Sequence, residues 1–502
     1  MYRFHNLLVL TILTFASNAN TDVKLPAIIS DGMVLQQGKP VPIWGWAKPG
    51  EKITVTIGKQ SIFTTANQNG NWMVKLDPLE LGNPLEMTVV GTNTLKLRDI
   101  LVGEVWLASG QSNMEFGVRG AINARTEIAS ANYPQMRLFT VPRAISEQPL
   151  HDTQGQWVAC TPGSVPNFSA VAYFFGRELH KNLKLPIGLI HASWSATPIE
   201  SWMSEVRGMS STMLTKPSVT ELSALTPTSL YNAMISPIIP YAIAGTIWYQ
   251  GESNVNRAYQ YRSLFHAMIK GWRLSWGQGD FPFLFVQIAN FMNYEYSQSK
   301  HLIPRLIRWL TKFLERNTAP GESAFAELRE AQLMALKLPN TGMAVTIDIG
   351  DAYSFHPKNK QDVGRRLALW AKATVYGKNI VHSGPLYKSM EIKANNAILS
   401  FDHIGDGLVS KGGGLLKGFS IAGNDQKFFW ANARIVGTTV VVHSDKVSAP
   451  VAVRYAWEDN PESNLYNSAD LPASPFRTDT WPGITITAKT TCRSEPCRSP
   501  GS

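Results

Sequence analysis

The chain has 502 residues, 44% hydrophobic and 17% charged, which is long enough to bury more than one core and to form roughly three domains. Its net charge of +10 suits solubility or the steering of acidic substrates, but no nucleic-acid-binding motif accompanies it. With no His/Cys zinc spacing, no glycine-rich phosphate loop and only three cysteines, neither a metal, a nucleotide cofactor nor a disulfide framework is expected.

Residues 1–19 read as a signal peptide, in which Arg3 precedes the apolar run from Leu7 to Ala16 and Ser17-Asn18-Ala19 forms a small-x-small cleavage site. That run is too short to span a bilayer as a stable helix. No other window is long and apolar enough, so a periplasmic or secreted protein without an integral membrane segment is expected, its charge lowered to +9 by loss of Arg3. Residues 24–99 alternate apolar and polar positions, as in Ile53-Thr54-Val55-Thr56-Ile57, between turn signals such as Lys48-Pro49-Gly50, the pattern of an accessory all-β sandwich. From 100 to 380, strand-like runs alternate with helical ones, which predicts an α/β domain with a parallel sheet and helices on both faces.

Three strand-to-loop junctions in that region carry polar chemistry. The apolar run from Ile100 to Ala108 empties into Gly110-Gln111-Ser112-Asn113-Met114, which presents Ser112 at the carboxyl edge of a buried strand. Thr246 to Tyr249 leads into Gln250-Gly251-Glu252-Ser253-Asn254, and Ala344 to Ile347 leads into a loop holding Asp351, Ser354 and His356. Acyl transfer from an ester needs a hydroxyl nucleophile, a base near neutrality and donors for the developing oxyanion. Ser112, His356 and Asn254 supply those parts.

His301 to Asn317 places apolar residues at helical spacing among cations and admits four readings: a lid, a dimer contact, a membrane-surface helix, or an amphipathic helix on the core. Lys360 to Tyr376 is a further helix, with Val363, Leu367, Trp370 and Ala371 on its apolar face. Alternation returns over 381–482, as in Ala397 to Phe401, and predicts a second β region, followed by a disordered tail over 483–502. Cys160 reads as an isolated buried thiol, whereas Cys492 and Cys497 lie close enough in the tail to pair.

The segments GQSNM, WYQGESN and HPKNK resemble the serine, asparagine and histidine blocks of the SGNH hydrolase superfamily, and in particular of the sialate O-acetylesterases. The resemblance runs from Leu25 to about Arg477 and includes MVLQQGKPVPIWGWAKPGE, ELREAQ and LPASPFRTD. It implies an SGNH-like three-layer α/β fold that hydrolyses O-acetyl esters on a sugar, typically sialic acid, without a cofactor. An esterase for another acetylated glycan such as xylan, or a glycan-binding protein that has lost chemistry, are the alternatives.

The resemblance also implies a third oxyanion donor from a block that here reads His191-Ala192-Ser193-Trp194-Ser195-Ala196-Thr197-Pro198. Ser195-Ala196 stands where the family pattern has two glycines, so Ser195 N–H donates only from an ordinary backbone geometry. Ser354 stands where the family places an acid two residues before the histidine. The acceptor that orients His356 is then either the Asp351 carboxylate or a main-chain carbonyl of the Ser354-Phe355 turn, with Asp351 otherwise a turn-forming residue. Gln111, Glu252 and Arg329 are candidate substrate-binding residues. For Glu252 the favoured alternative is a buried carboxylate that pins neighbouring backbone N–H groups, and Arg329 reads as either a bidentate partner for a sialate carboxylate or a structural ion pair. Trp44, Trp46, Trp194, Trp202 and Trp248 are stacking candidates for sugars, against the alternative that they are core.

Overall fold

The computed structural model describes residues 22–204, 221–292 and 319–488. The expected signal peptide, the 301–317 stretch and Cys492 and Cys497 lie outside them. The amino-terminal strands are β1 (Val34–Gln36), β2 (Val41–Trp46), β3 (Lys52–Ile57), β4 (Gln60–Thr65), β5 (Asn71–Leu76) and β6 (Leu85–Val90). The next strand, β7 (Thr94–Gly110), is continuous over 17 residues and changes character midway. Its first half pairs antiparallel with β6 and alternates in exposure, while Ile100 to Gly110 is buried throughout. That is the contrast expected between a strand with one wet face and one covered on both faces.

Around β7 assemble β8 (Tyr133–Thr140), β9 (Val158–Cys160), β10 (Ile187–Ser193), β11 (Gly245–Tyr249), β12 (Phe283–Val286) and β13 (Thr341–Ala344), in the spatial order β13-β12-β11-β7-β10-β8-β9. All of these pairs are parallel except β8 with β9. The helices are α1 (Ser112–Glu115), α2 (Ala124–Ser130), α3 (Ala170–Leu183), α4 (Ala258–Trp276), α5 (Ala324–Met334) and α6 (Lys360–Thr374). Ser169, Ser323 and Asn359 cap α3, α5 and α6 by accepting the main-chain N–H three residues on, which satisfies donors the helix leaves free.

Two apolar cores flank the sheet, the expected α/β arrangement. Trp106, Phe174, Leu367 and Trp370 belong to the one packed by α3 and α6, while Trp248, Trp272 and Phe285 belong to the other. The second core continues into the amino-terminal strands through Val34, Ile43 and Trp44. The expected accessory boundary at 99/100 therefore falls inside a strand, and the β unit before it shares both sheet and core with the α/β layer. Tyr241 Oη donates to Val34 O at 2.7 Å and Trp157 Nε1 to Ile28 O at 2.8 Å, which ties the two together.

The expected carboxyl-terminal β region contains two four-stranded antiparallel sheets around their own core of Leu399, Phe419, Val440 and Val453. It docks through charged contacts: Tyr466 Oη donates to Asp348 at 3.0 Å, Arg366 grips the same carboxylate at 2.6 and 2.7 Å, and Arg477 meets Glu330 at 2.8 Å. The expectation of a disordered tail from 483 fails for its first residues. Thr485 is buried, its main chain and hydroxyl bonded to the Glu327 carboxylate, and Gln260 donates to Ala488 O at 2.8 Å. A composition rich in Ser and Thr gave no hint of these partners because they come from α4 and α5, far away in sequence. Cys160 is a buried free thiol, its pKa pushed up to about 12 by burial. Among the described residues no helix is long and apolar enough to cross a membrane.

Candidate active site

Strand β7 ends at Gly110 with φ +139°, where a Cβ would lie 2.1 Å from Tyr249 O. Only glycine lets the strand turn this sharply against β11. Gln111 N–H then bonds Tyr249 O at 3.0 Å, and Ser112 opens α1, half-buried at the carboxyl edge of the sheet. As a first-turn residue it keeps a main-chain N–H with no acceptor inside the helix.

A buried amide joins the serine loop to the histidine loop. Asn113 Nδ2 donates to Phe355 O at 2.8 Å and to Glu252 Oε1 at 2.7 Å, and Asn113 Oδ1 accepts from Lys360 Nζ at 2.5 Å. The residue after Ser112 is thus bonded to the residue before His356. Phe116, at i+4 from Ser112 and so on the same face of that turn, stacks on the His356 ring at 6.3 Å and 27°. Lys360 is fully buried, with the rings of Phe116 and Tyr249 within 5.3 Å, and burial brings its pKa down to about 7 against the opposing pull of Glu252. Burial also raises the Glu252 carboxyl above its ordinary value. His356, exposed at the rim, is held below the usual imidazole value by the partial desolvation its neighbours impose and by the Lys360 charge, which Glu115 partly offsets, so the ring is neutral at pH 7 and fit to act as a base.

The block 191–198 closes the opposite side. Trp194 N–H donates to Gly110 O at 3.1 Å. Of the pair that replaces two glycines, Ala196 takes the left-handed conformation at φ +58°, while Ser195 keeps an ordinary backbone. Ser195 N–H donates to Glu115 Oε2 at 3.0 Å. The other oxygen of Glu115 pairs with Arg143, whose guanidinium lies 5.5 Å from the Trp194 ring centroid. His191 behind this block is buried and neutral, its pKa lowered to about 4 by burial and by Arg143.

Asn254 is buried at the same edge. Its Oδ1 accepts from Ile199 N–H at 2.9 Å and from Gln250 Nε2 at 2.7 Å, and its Nδ2 donates to Glu200 at 3.0 Å, leaving the second amide proton for another acceptor. Glu200 in turn pairs with the buried Arg257.

Several expected roles change. Gln111 does not face a substrate: its Oε1 accepts Gly251 N–H at 3.4 Å and Ser253 N–H at 3.3 Å, stitching the serine loop to the loop after β11. Glu252 is likewise committed to Asn113, pinning a side-chain amide where its alternative reading named backbone N–H groups. Arg329 is fully buried and gives its donors to the carbonyls of Ile288, Ala289, Glu458 and Asp459 at 2.7 to 3.1 Å, so it cannot meet a sialate carboxylate. Asp351 is exposed and accepts Tyr353 N–H at 2.9 Å, an Asx turn that uses its carboxylate locally instead of on His356. Trp202 and Trp248 are core, whereas Trp194 stays half-exposed.

Sequence reasoning passed over Asn113, Glu115, Arg143, Glu200 and Lys360. Asn113 and Glu115 had a signal, adjacency to Ser112. The others had none, because their partners lie about 30 to nearly 250 residues away. Among the described residues no group of three His, Cys, Asp or Glu side chains could hold a metal ion.

Residues 102–371 match the family described as carbohydrate esterase, sialic acid-specific acetylesterase. The chain belongs to that family. It is 34% identical to the sialate O-acetylesterase of Homo sapiens over 95% of this chain and 97% of that protein, and 34% identical to that of Pongo abelii over 93% and 95%. Among solved structures, a carbohydrate acetylesterase from Xanthomonas citri superposes with a TM-score of 0.81 at 42% identity, covering 92% of this esterase and all of that chain.

Proposed function

We propose that this esterase removes O-acetyl groups from sialic acids through an acetyl-enzyme on Ser112. Ser112 Oγ attacks the acetyl carbonyl while His356 takes its proton. The tetrahedral oxyanion draws on Ser112 N–H, Ser195 N–H and the second amide proton of Asn254. His356 then gives the proton to the departing sugar hydroxyl, and a water, deprotonated by the same ring, releases acetate and restores the serine. The observation that supports this reading is the bond from Asn113 to Phe355 O, with Phe116 stacked on His356, because it ties the loop of Ser112 to the loop of His356. The cationic, apolar and small-residue pattern of residues 1–19 supports export, where acetylated glycans are met.

The test is acetate release from O-acetylated sialic acid beside acetylated xylan, by the wild-type chain and by Ser112→Ala. Wild type should prefer the sialate, and Ser112→Ala should lose at least about 10³-fold in kcat with an unchanged melting curve. Residual turnover within tenfold would remove Ser112 from its role; no turnover by wild type on either substrate would leave a glycan-binding protein.

A further inference from the structure

A sialic acid differs from a neutral sugar in its carboxylate, and selectivity for it needs a cation beside the reacting ester. Arg329 cannot serve, and Lys360 is buried and spent on Asn113. We propose that Arg143 is the specificity-determining residue that binds the substrate carboxylate, a reading that rests on the esterase function proposed above.

Arg143 lies just beyond the carboxyl end of β8, exposed at the same sheet edge as Ser112. Its guanidinium sits over the Trp194 ring, and Trp194 is itself bonded through its main chain to Gly110 O, two residues before the serine. The ring contacts the guanidinium on one side, and the planar fork suits a bidentate carboxylate, a place that Glu115 now takes. Its present partner shows that a carboxylate fits. Glu115, three residues after Ser112, bridges Arg143 and Ser195 N–H with its two oxygens. The same Glu115 occupies a donor that the oxyanion requires, so it must turn away before acyl transfer. A substrate carboxylate that displaces Glu115 from Arg143 does this directly: the anion exchanges on the guanidinium, and Ser195 N–H is released to the acetyl oxygen. Recognition of the acid and completion of the oxyanion site are thereby one event. Lys358, exposed two residues after His356, is the neighbouring cation to compare, but it offers a point charge without the planar fork.

The experiment uses the full chain with an O-acetylated sialic acid as its free acid and as its carboxylate methyl ester. Wild type should prefer the free acid. Arg143→Gln should lower kcat/KM on the free acid by roughly 10- to 100-fold, through KM and kcat together, and bring the preference for acid over methyl ester toward one. Arg143→Lys should fall between, and Lys358→Gln should keep the preference. Equal losses on acid and methyl ester would make Arg143 a structural residue and overturn the proposal. So would a wild type without any preference, a loss confined to kcat, or a preference that Lys358→Gln abolishes. Failure of wild type to hydrolyse either ester would instead defeat the esterase reading beneath it.

Discussion

The layer beneath Ser112 and the rim around it are built from the same residue types and behave in opposite ways. Beneath, Asn113, Glu252, Lys360, Asn254, Glu200 and Arg257 bond to one another or to main chain, and most have almost no access to water. On the rim, His356 and Arg143 are exposed, and Glu115 and Ser112 are partly so. The buried layer bonds mostly within itself, through Asn113 with Glu252 and Lys360 and through Asn254 with Glu200, and so fixes the loops in advance, which lowers the reorganisation needed when an oxyanion forms. The rim keeps groups whose partners a ligand can replace. Two arginines mark the difference: Arg329 is a rivet between four carbonyls, while Arg143 holds one exchangeable carboxylate.

The strongest way to break this comparison is Arg329→Met. If Arg329 belongs wholly to the scaffold, its loss leaves buried carbonyls unmet and should destabilise the fold by about 3–5 kcal/mol in urea denaturation, with KM for the sialate unmoved. A raised KM with little loss of stability would return Arg329 to the substrate.

The second test asks whether the buried layer acts on the rim electrostatically. His356 must be neutral to accept the serine proton, and its pKa is depressed, so kcat/KM should fall as pH drops through a value below 6.5 and stay flat above it. The Lys360 charge helps hold that value down. Lys360→Met should therefore move the acid limb toward neutral pH, and a limb that does not move would confine Lys360 to packing.

A smaller effect is expected from Asp351→Asn. Because the Asp351 carboxylate serves its own turn, kcat should stay within about tenfold, whereas loss of the orienting acid of a Ser-His-Asp triad costs on the order of 10⁴. A collapse in kcat at unchanged stability would place Asp351 on His356 after all.

The smallest effect sharpens the rim itself. Ala196 holds a left-handed backbone, so Ala196→Gly should stabilise the chain by up to about 1 kcal/mol, read as a small rise in denaturation midpoint. A drop would mean that the methyl group packs in a way that outweighs its backbone strain.

The parts of this site that the sequence disclosed are those governed by local rules. An apolar run followed by a glycine-flanked serine located the end of β7, and helical spacing located α6 with Val363, Leu367, Trp370 and Ala371 buried as expected. The parts it withheld depend on partners brought from afar. Lys360 reads as an ordinary cation at a helix start until Asn113 and the rings of Phe116 and Tyr249 close over it. Arg329 reads as a candidate ligand group until four carbonyls from two distant segments surround it.

By itself the sequence determined the alternation of strand-like and helical runs and the place of Ser112 at the end of a buried strand, because periodicity and turn preference act within a few residues. The tertiary structure alone decided which charges are scaffold and which face a ligand. It joined the amino-terminal β unit to the catalytic sheet through one unbroken strand, gave Asp351 to a local turn, and put the left-handed backbone on Ala196 while Ser195 kept the ordinary one expected of it. Long polar side chains reach whatever the fold sets beside them, and burial fixes whether that contact is permanent or open to exchange.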